Sequence, residues 1–366
     1  MIKTIFENII SDVVLKVVVA IFLIIAIFKP MNFKDIDLNT IVILFNLMLI
    51  ISLVKRAKIL AYISNSIINH VKTTRQITAY ITITSFILSM FVTNDVAIIT
   101  LVPLYILIAK RLKLSIVYPT VLITIAANLG SAFTPIGNPQ NVFLVEFYHI
   151  SIMSFFSQSL ILLVMGMASL IVLILFSENK PIQDTSTELI SINKIHLLMI
   201  GGLFILVLLS QFSILSIWID TIITSLVVEG FSPRSISDVD YSLLLSFVFF
   251  FLIVGMLSRI DIVVSLIHQF TQDGIHTYIT SVITSQFISN VPASVLLSKF
   301  SADFTSIYYG VSIGGLGTLV ASLANLLAYK QISLNVPQAS GKFLKKFTFI
   351  NIILLLVLSL LKIILI

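Results

Sequence analysis

No cysteine occurs in the 366 residues, which removes disulfides, thiolate metal sites, iron–sulfur clusters and thiol nucleophiles at once. Histidine is sparse, five in all and none in an HExxH arrangement, so a zinc hydrolase has no ligand set. Charge is scarce as well: Asp, Glu, Lys and Arg make up 10% of the chain, against about 25% in soluble domains. With only 9 prolines and 13 glycines, each helix breaker inside an apolar run asks for a reason. What is present is apolar surface, 58% of residues at a mean hydropathy of +1.13. Apolar runs recurring without a long polar stretch indicate an all-α polytopic membrane protein, because only internally bonded helices carry backbone across lipid at such composition. The net charge of +6 sits in short clusters between the runs, the way cytoplasmic loops are marked, and does not form a nucleic-acid-binding face.

Nine spans are expected, at about 9–28, 38–54, 116–147, 152–176, 195–212, 213–228, 241–257, 306–328 and 346–366. The first carries Asp12 and Lys16 and has no small-residue cleavage site after it, which reads as a retained span rather than a signal peptide. Segments 76–109 and 276–305 are apolar on both sides of a polar centre, Thr93-Asn94-Asp95 and Ser289-Asn290. Half of the first reaches only about 25 Å at 1.5 Å per residue, so both are expected to be re-entrant hairpins with buried tips. With the N-terminus cytoplasmic and the C-terminus external, sixteen basic residues collect on the inner side, at Lys3, in the loops at 55–75, 110–113, 180–194 and 330–346, and at Arg234. Lys29, Lys34, Arg259, Lys299 and Lys362 alone fall outside, and Lys16 within a span. Removing 213–228, which contains Asp220, would turn the 330–346 loop outward, so that span is kept. Asp220 is assigned to a scaffold interface and Glu146 to the outer boundary.

The chain repeats itself. DLNTIVILFNLMLIISLVKR from Asp37 aligns with DYSLLLSFVFFFLIVGMLSR from Asp240; Phe91 to Asn94 aligns with Phe287 to Asn290; Gly130, Thr134 and Asn141 align with Gly314, Thr318 and Asn325. Under the charge-derived topology the halves, 1–176 and 195–366 with a cytoplasmic linker at 177–194, run in opposite directions, the inverted-repeat arrangement of secondary transporters. Polar motifs matched in the same order argue against chance alignment of Leu/Ile-rich helices.

Thr134-Pro135-Ile136-Gly137-Asn138-Pro139 cannot continue a helix, and the break frees carbonyls at membrane depth. Thr93 and Asn94 add hydroxyl and amide oxygens, which makes a hard-oxygen cage suited to sodium. Asp95 is ionisable at membrane depth, where such groups bind cations or carry protons, although an Asp there also caps a helix. The second hairpin has Val291 in its place, so its cation site is weaker. Gly314-Gly315-Leu316-Gly317-Thr318 lacks the Gly-Lys of a phosphate loop and reads as a close-packing stretch, with Thr318, Ser322 and Asn325 as pore-lining groups.

The segments FVTNDVAIITLVPL, ANLGSAFTPIGNPQN, FISNVPASVLL and GGLGTLVASLAN together resemble the ion transporter superfamily over about residues 35–330. Within it the chain is most similar to the arsenite-permease and sodium/proton-antiporter branch and its small anion-permease relatives. The resemblance implies a scaffold and a transport domain, with cation sites at the hairpin tips and opposing helix breaks. It implies substrate contacts at Thr93, Asn94, Asn138, Asn141, Ser289, Asn290, Thr318, Ser322 and Asn325. Coupling of sodium or protons falls to Thr93, Asn94, Asp95, Thr134, Gly137 and Asn138. Dicarboxylate symporters carry Ser-Asn-Thr in both hairpins; Asp95 and Val291 depart from that pattern and count against dicarboxylate binding and a second sodium site.

The expected activity is ion-coupled permeation of a small inorganic or organic anion, an oxyanion included. Cation/proton exchange through Asp95 and arsenite-type efflux are the alternatives. A membrane-embedded enzyme would need a Ser/His or paired-Asp constellation at depth, and none is visible in the sequence. No organic cofactor or nucleic acid is called for; the lipid bilayer is the expected surrounding, and a homodimer is compatible with the sequence.

Overall fold

The computed structural model describes residues 9–10, 12–57, 71–182 and 194–365. Within these the chain folds into sixteen α-helices and no β-strand. Most of the linker and much of the basic loop at 55–75 fall outside the described residues. The first half holds α1 (Val13–Ala26), α2 (Leu38–Arg56), α3 (Thr74–Val92), α4 (Asn94–Leu112), α5 (Val117–Ser131), α6 (Pro139–Tyr148) and α7 (Ile152–Leu175). After α8 (Lys194–Gln211) come α9 (Ile217–Phe231), α10 (Tyr241–Leu257), α11 (Asp261–Phe270), α12 (Gly274–Ile288), α13 (Asn290–Ser298), α14 (Phe304–Gly314), α15 (Leu323–Asn335) and α16 (Ser340–Leu365).

Three helices are long and apolar enough to cross a membrane unaided, Thr74–Val92, Ile152–Leu175 and Pro337–Ile364, with a fourth if α10 and α11, bent by 98°, make one span. The other apolar helices are shorter, and the expected spans at 116–147 and 306–328 are each divided, into α5 and α6 and into α14 and α15. Helix α11 was not foreseen, and the second broken span extends to Asn335.

Both expected hairpins break where the polar centres lie, between α3 and α4 at Thr93 and between α12 and α13 at Ser289. Their limits differ from 76–109 and 276–305. A Thr73/Gln76 capping box starts α3 at Thr74, and the left-handed Lys113, with the Leu114 amide on the Ala109 carbonyl, stops α4 at Leu112. The arms of 19 residues each reach about 28 Å, nearly a full span. Those of α12 and α13, 15 and 9 residues, reach only about 22 and 13 Å.

The contacts repeat as the sequence does. Helix α3 packs along α5, and α12 along α14. A methyl group at Gly130 would overlap the Phe86 carbonyl; one at Gly314 would stand 2.9 Å from Ser285 Cβ. Helices α5 and α14 are buried on nearly all sides, which suits their unpatterned apolarity. Between the halves the partners are exchanged: α4 packs on α15 and α13 on α6, while α1 packs on α10 and α9 on α2. Two ion pairs follow the same exchange. Arg56, ending α2, meets Asp238 just before α10 at 2.7 Å, and Arg259, just after α10, meets Asp35 just before α2 at 3.0 Å. The end of each helix therefore lies beside the start of the other. Asp37 and Asp240 cap the two helix starts alike, accepting from the Thr40 and Leu243 amides.

Candidate functional site

Thr93 has φ 69° and ψ 154°, Ser289 φ 73° and ψ 156°. This region is close to glycine-only and costs a residue with a side chain on the order of 1–3 kcal/mol, so two non-glycine residues held there at matching positions mark a constrained site. The opposing breaks match as closely. Asn138, before α6, has φ −146° and ψ 139°; Ser322, before α15, has φ −148° and ψ 139°. Behind each break one asparagine clamps the freed carbonyls. Asn141 Nδ2 donates to the carbonyls of Ser131, Ala132 and Thr134 at 3.1, 3.2 and 2.8 Å, and Asn325 Nδ2 to those of Gly315 and Thr318, both at 3.0 Å. Thr134 and Thr318 tie the breaks back to the hairpins by donating to the Met90 and Gln286 carbonyls.

The tips and breaks meet at one cavity of about 500 Å³. Its polar floor is Asn94, Asp95, Asn138, Ser289, Asn290 and Ser322; α1 and α10 supply apolar walls through Val17, Ile21, Phe250 and Leu257. Helices α4, α13, α6 and α15 all begin on this floor. The side chains of Thr93, Ser289 and Ser322 do not cap the helices they precede, whereas Asn138 accepts from the Gln140 amide. Backbone N–H groups at these starts give the floor positive potential, although no Lys or Arg lines it.

Of the expected site residues, Asn94, Asp95, Asn138, Ser289, Asn290 and Ser322 come together on the cavity. Thr93, Thr134, Gly137, Asn141, Thr318 and Asn325 do not line it. Gly137 fits tightly against the Ser131 carbonyl, and the Thr134 and Thr318 hydroxyls are occupied, so these residues stand behind the wall and fix its shape. Asp95 lies in the first turn of α4, where a carboxylate is favoured, and does not precede the helix as its cap.

Asn128 was missed. It accepts from Asn94 Nδ2 at 3.1 Å and Ser322 Oγ at 3.0 Å, and donates to Asn325 Oδ1 at 2.7 Å, joining a tip of one half to the break of the other. A complementary bond runs from Gln140 Nε2 to Ser312 Oγ at 3.2 Å. The signal for Asn128 was the one side-chain amide within the buried α5, where an unpaired amide would be costly.

A family profile described as citrate transporter matches residues 2–306. An uncharacterized transporter of Methanocaldococcus jannaschii is 36% identical over 331 residues, 88% of each chain. The inner membrane protein YbiR of Escherichia coli K12 is 28% identical over 303 residues, 81% of this chain and 80% of its own. A putative transporter arsB of Dictyostelium discoideum is 26% identical over 153 residues, 42% of this chain and 27% of its own. The cavity between broken helices thus sits in a multi-pass membrane transporter, and the chain belongs to the citrate transporter family.

Proposed function

We propose that the protein is an ion-coupled secondary transporter that moves a small anion by alternating access between two inverted halves. The observation carrying this reading is the convergence of four helix starts, two from each half, on one cavity. Helix starts favour an anion without a cationic side chain. Asp95 on the same floor places a negative charge beside it, which a co-bound sodium ion or proton would neutralise. Oxygens from Asp95, Asn94 and Asn138 are the hard ligands sodium takes, while Asn290, Ser289 and Ser322 face the anion. The reciprocal ion pairs and exchanged helix contacts support inversion of the halves, since a two-fold axis across the helices would produce both. The family description favours a carboxylate such as citrate. Sodium/proton antiport is the second reading, favoured by Asp95 itself.

Uptake by proteoliposomes of citrate, smaller carboxylates and oxyanions, under an imposed sodium or proton gradient, tests this. Uptake of an anion should accelerate with one gradient, and Asp95→Asn should reduce that acceleration by about tenfold or more. Sodium/proton exchange with no anion movement would replace the proposal by antiport. Labelling of Lys342→Cys from outside intact cells would overturn the inverted topology.

A further inference from the structure

Asp220 is a carboxylate that the transport cavity does not use. It lies in α9, wholly buried, and accepts from Asn46 Nδ2 at 2.9 Å, Ser210 Oγ at 2.9 Å and Thr224 Oγ1 at 3.1 Å. All three donors are neutral, and among the described residues no Lys, Arg or His forms an ion pair with it. Asp220 also lies in the first turn of α9, where the helix start favours a carboxylate; these neutral groups stabilise the charge without cancelling it, and a buried charge with no counter-ion is costly at membrane depth. Oxygen is also in surplus around it. Asn46 Oδ1, on the same amide that donates to Asp220, is buried without a donor.

A second, smaller cavity of about 210 Å³ reaches this cluster. It is lined by Asn39, Glu146, Ser210, Ser213 and Ser216, so Ser210 both borders the crevice and holds Asp220. The Glu146 carboxylate, held by Asn39 Nδ2 at 2.6 Å, gives the crevice a negative lining that raises the local cation concentration.

We propose that Asp220, Asn46, Ser210 and Thr224 form a binding site for a monovalent cation, sodium, filled through the crevice and separate from the transport cavity. One carboxylate with neutral hydroxyl and amide oxygens matches a single charge, and these are hard ligands. Turning the Asn46 amide over exchanges its donor for the unpartnered Oδ1, and the Ser210 and Thr224 hydroxyls present lone pairs once their protons turn away.

Binding is read from the thermal unfolding midpoint of the purified full chain, titrated with sodium chloride against choline chloride at constant ionic strength. The test does not depend on the transport reading, because Asp95→Asn serves as the background. In that variant a saturable, sodium-specific rise in midpoint is expected, and adding Asp220→Asn should abolish it. Ser210→Ala and Thr224→Val should each raise the half-saturating sodium concentration by about fivefold, near 1 kcal/mol; they carry the test should Asp220→Asn not fold. A sodium response that is absent from Asp95→Asn, that persists with Asp220→Asn, or that keeps its half-saturation in both hydroxyl variants would overturn the site.

Discussion

Thr93 and Ser289 hold the same unusual backbone conformation at the two hairpin tips, yet two residues later the first tip has Asp95 and the second Val291, followed by Pro292. Each following helix begins on the same cavity without a side-chain cap from the residue before it. Geometry has been duplicated and charge has not. Asp95 fills the positive end of α4 with its own carboxylate, whereas the first turn of α13 carries no acidic group. In the proposed mechanism this difference divides the work, the first tip taking the coupling cation and the second facing the anion.

The sharpest way to break that division is to remove both amides. Asn94→Ala and Asn290→Ala should each reduce proteoliposome transport by about tenfold or more while the protein stays folded, because the amides face a cavity and not an apolar core. The Asn94 loss should be the larger, since Asn94 also holds Asn128 and comes within 3.5 Å of Ser322 in the other half. Equal losses would remove the asymmetry, and normal transport in either variant would leave that tip a structural turn.

A smaller effect is expected behind the tips. Gly130→Ala drives a methyl into the Phe86 backbone and should destabilise by about 1–3 kcal/mol. Gly314→Ala meets Ser285 Cβ at 2.9 Å, a milder overlap, and should lower the unfolding midpoint less. The reverse order would mean that the second half is the more rigid of the two.

The smallest difference should separate the reciprocal ion pairs. Arg259 grips Asp35 with two bonds, at 3.1 and 3.0 Å, and Asp35 is only 15% exposed. Arg56 and Asp238 are each 37% exposed and joined at 2.7 Å. Double-mutant cycles on unfolding should give a coupling of about 0.5–1 kcal/mol for the first pair and about half that for the second, with both falling as salt rises. Equal couplings would show that the two pairs contribute alike despite their different exposure.

The amino-acid sequence by itself determined that the chain is helical and crosses a membrane, and where its helices break. Pro135, Gly137 and Pro139 act within a turn of their own position, and the polar triplets interrupt apolar runs in the same way, so these features are readable locally. The paired polar motifs were legible too, and the matched positions Asn141 and Asn325 make matched bonds to the Thr134 and Thr318 carbonyls. The hairpin limits were less so, since caps and a left-handed residue set them at the ends. Tertiary structure alone decided which polar residues face the cavity and which clamp its wall, and it placed Asn128 among partners up to 197 residues distant. It also gathered Asn46, Ser210 and Thr224 around Asp220. The physical reason is that a buried polar group must find its partner wherever packing brings one, and the exchange of helices between the two halves sets those meetings across a distance in the chain that no local pattern records.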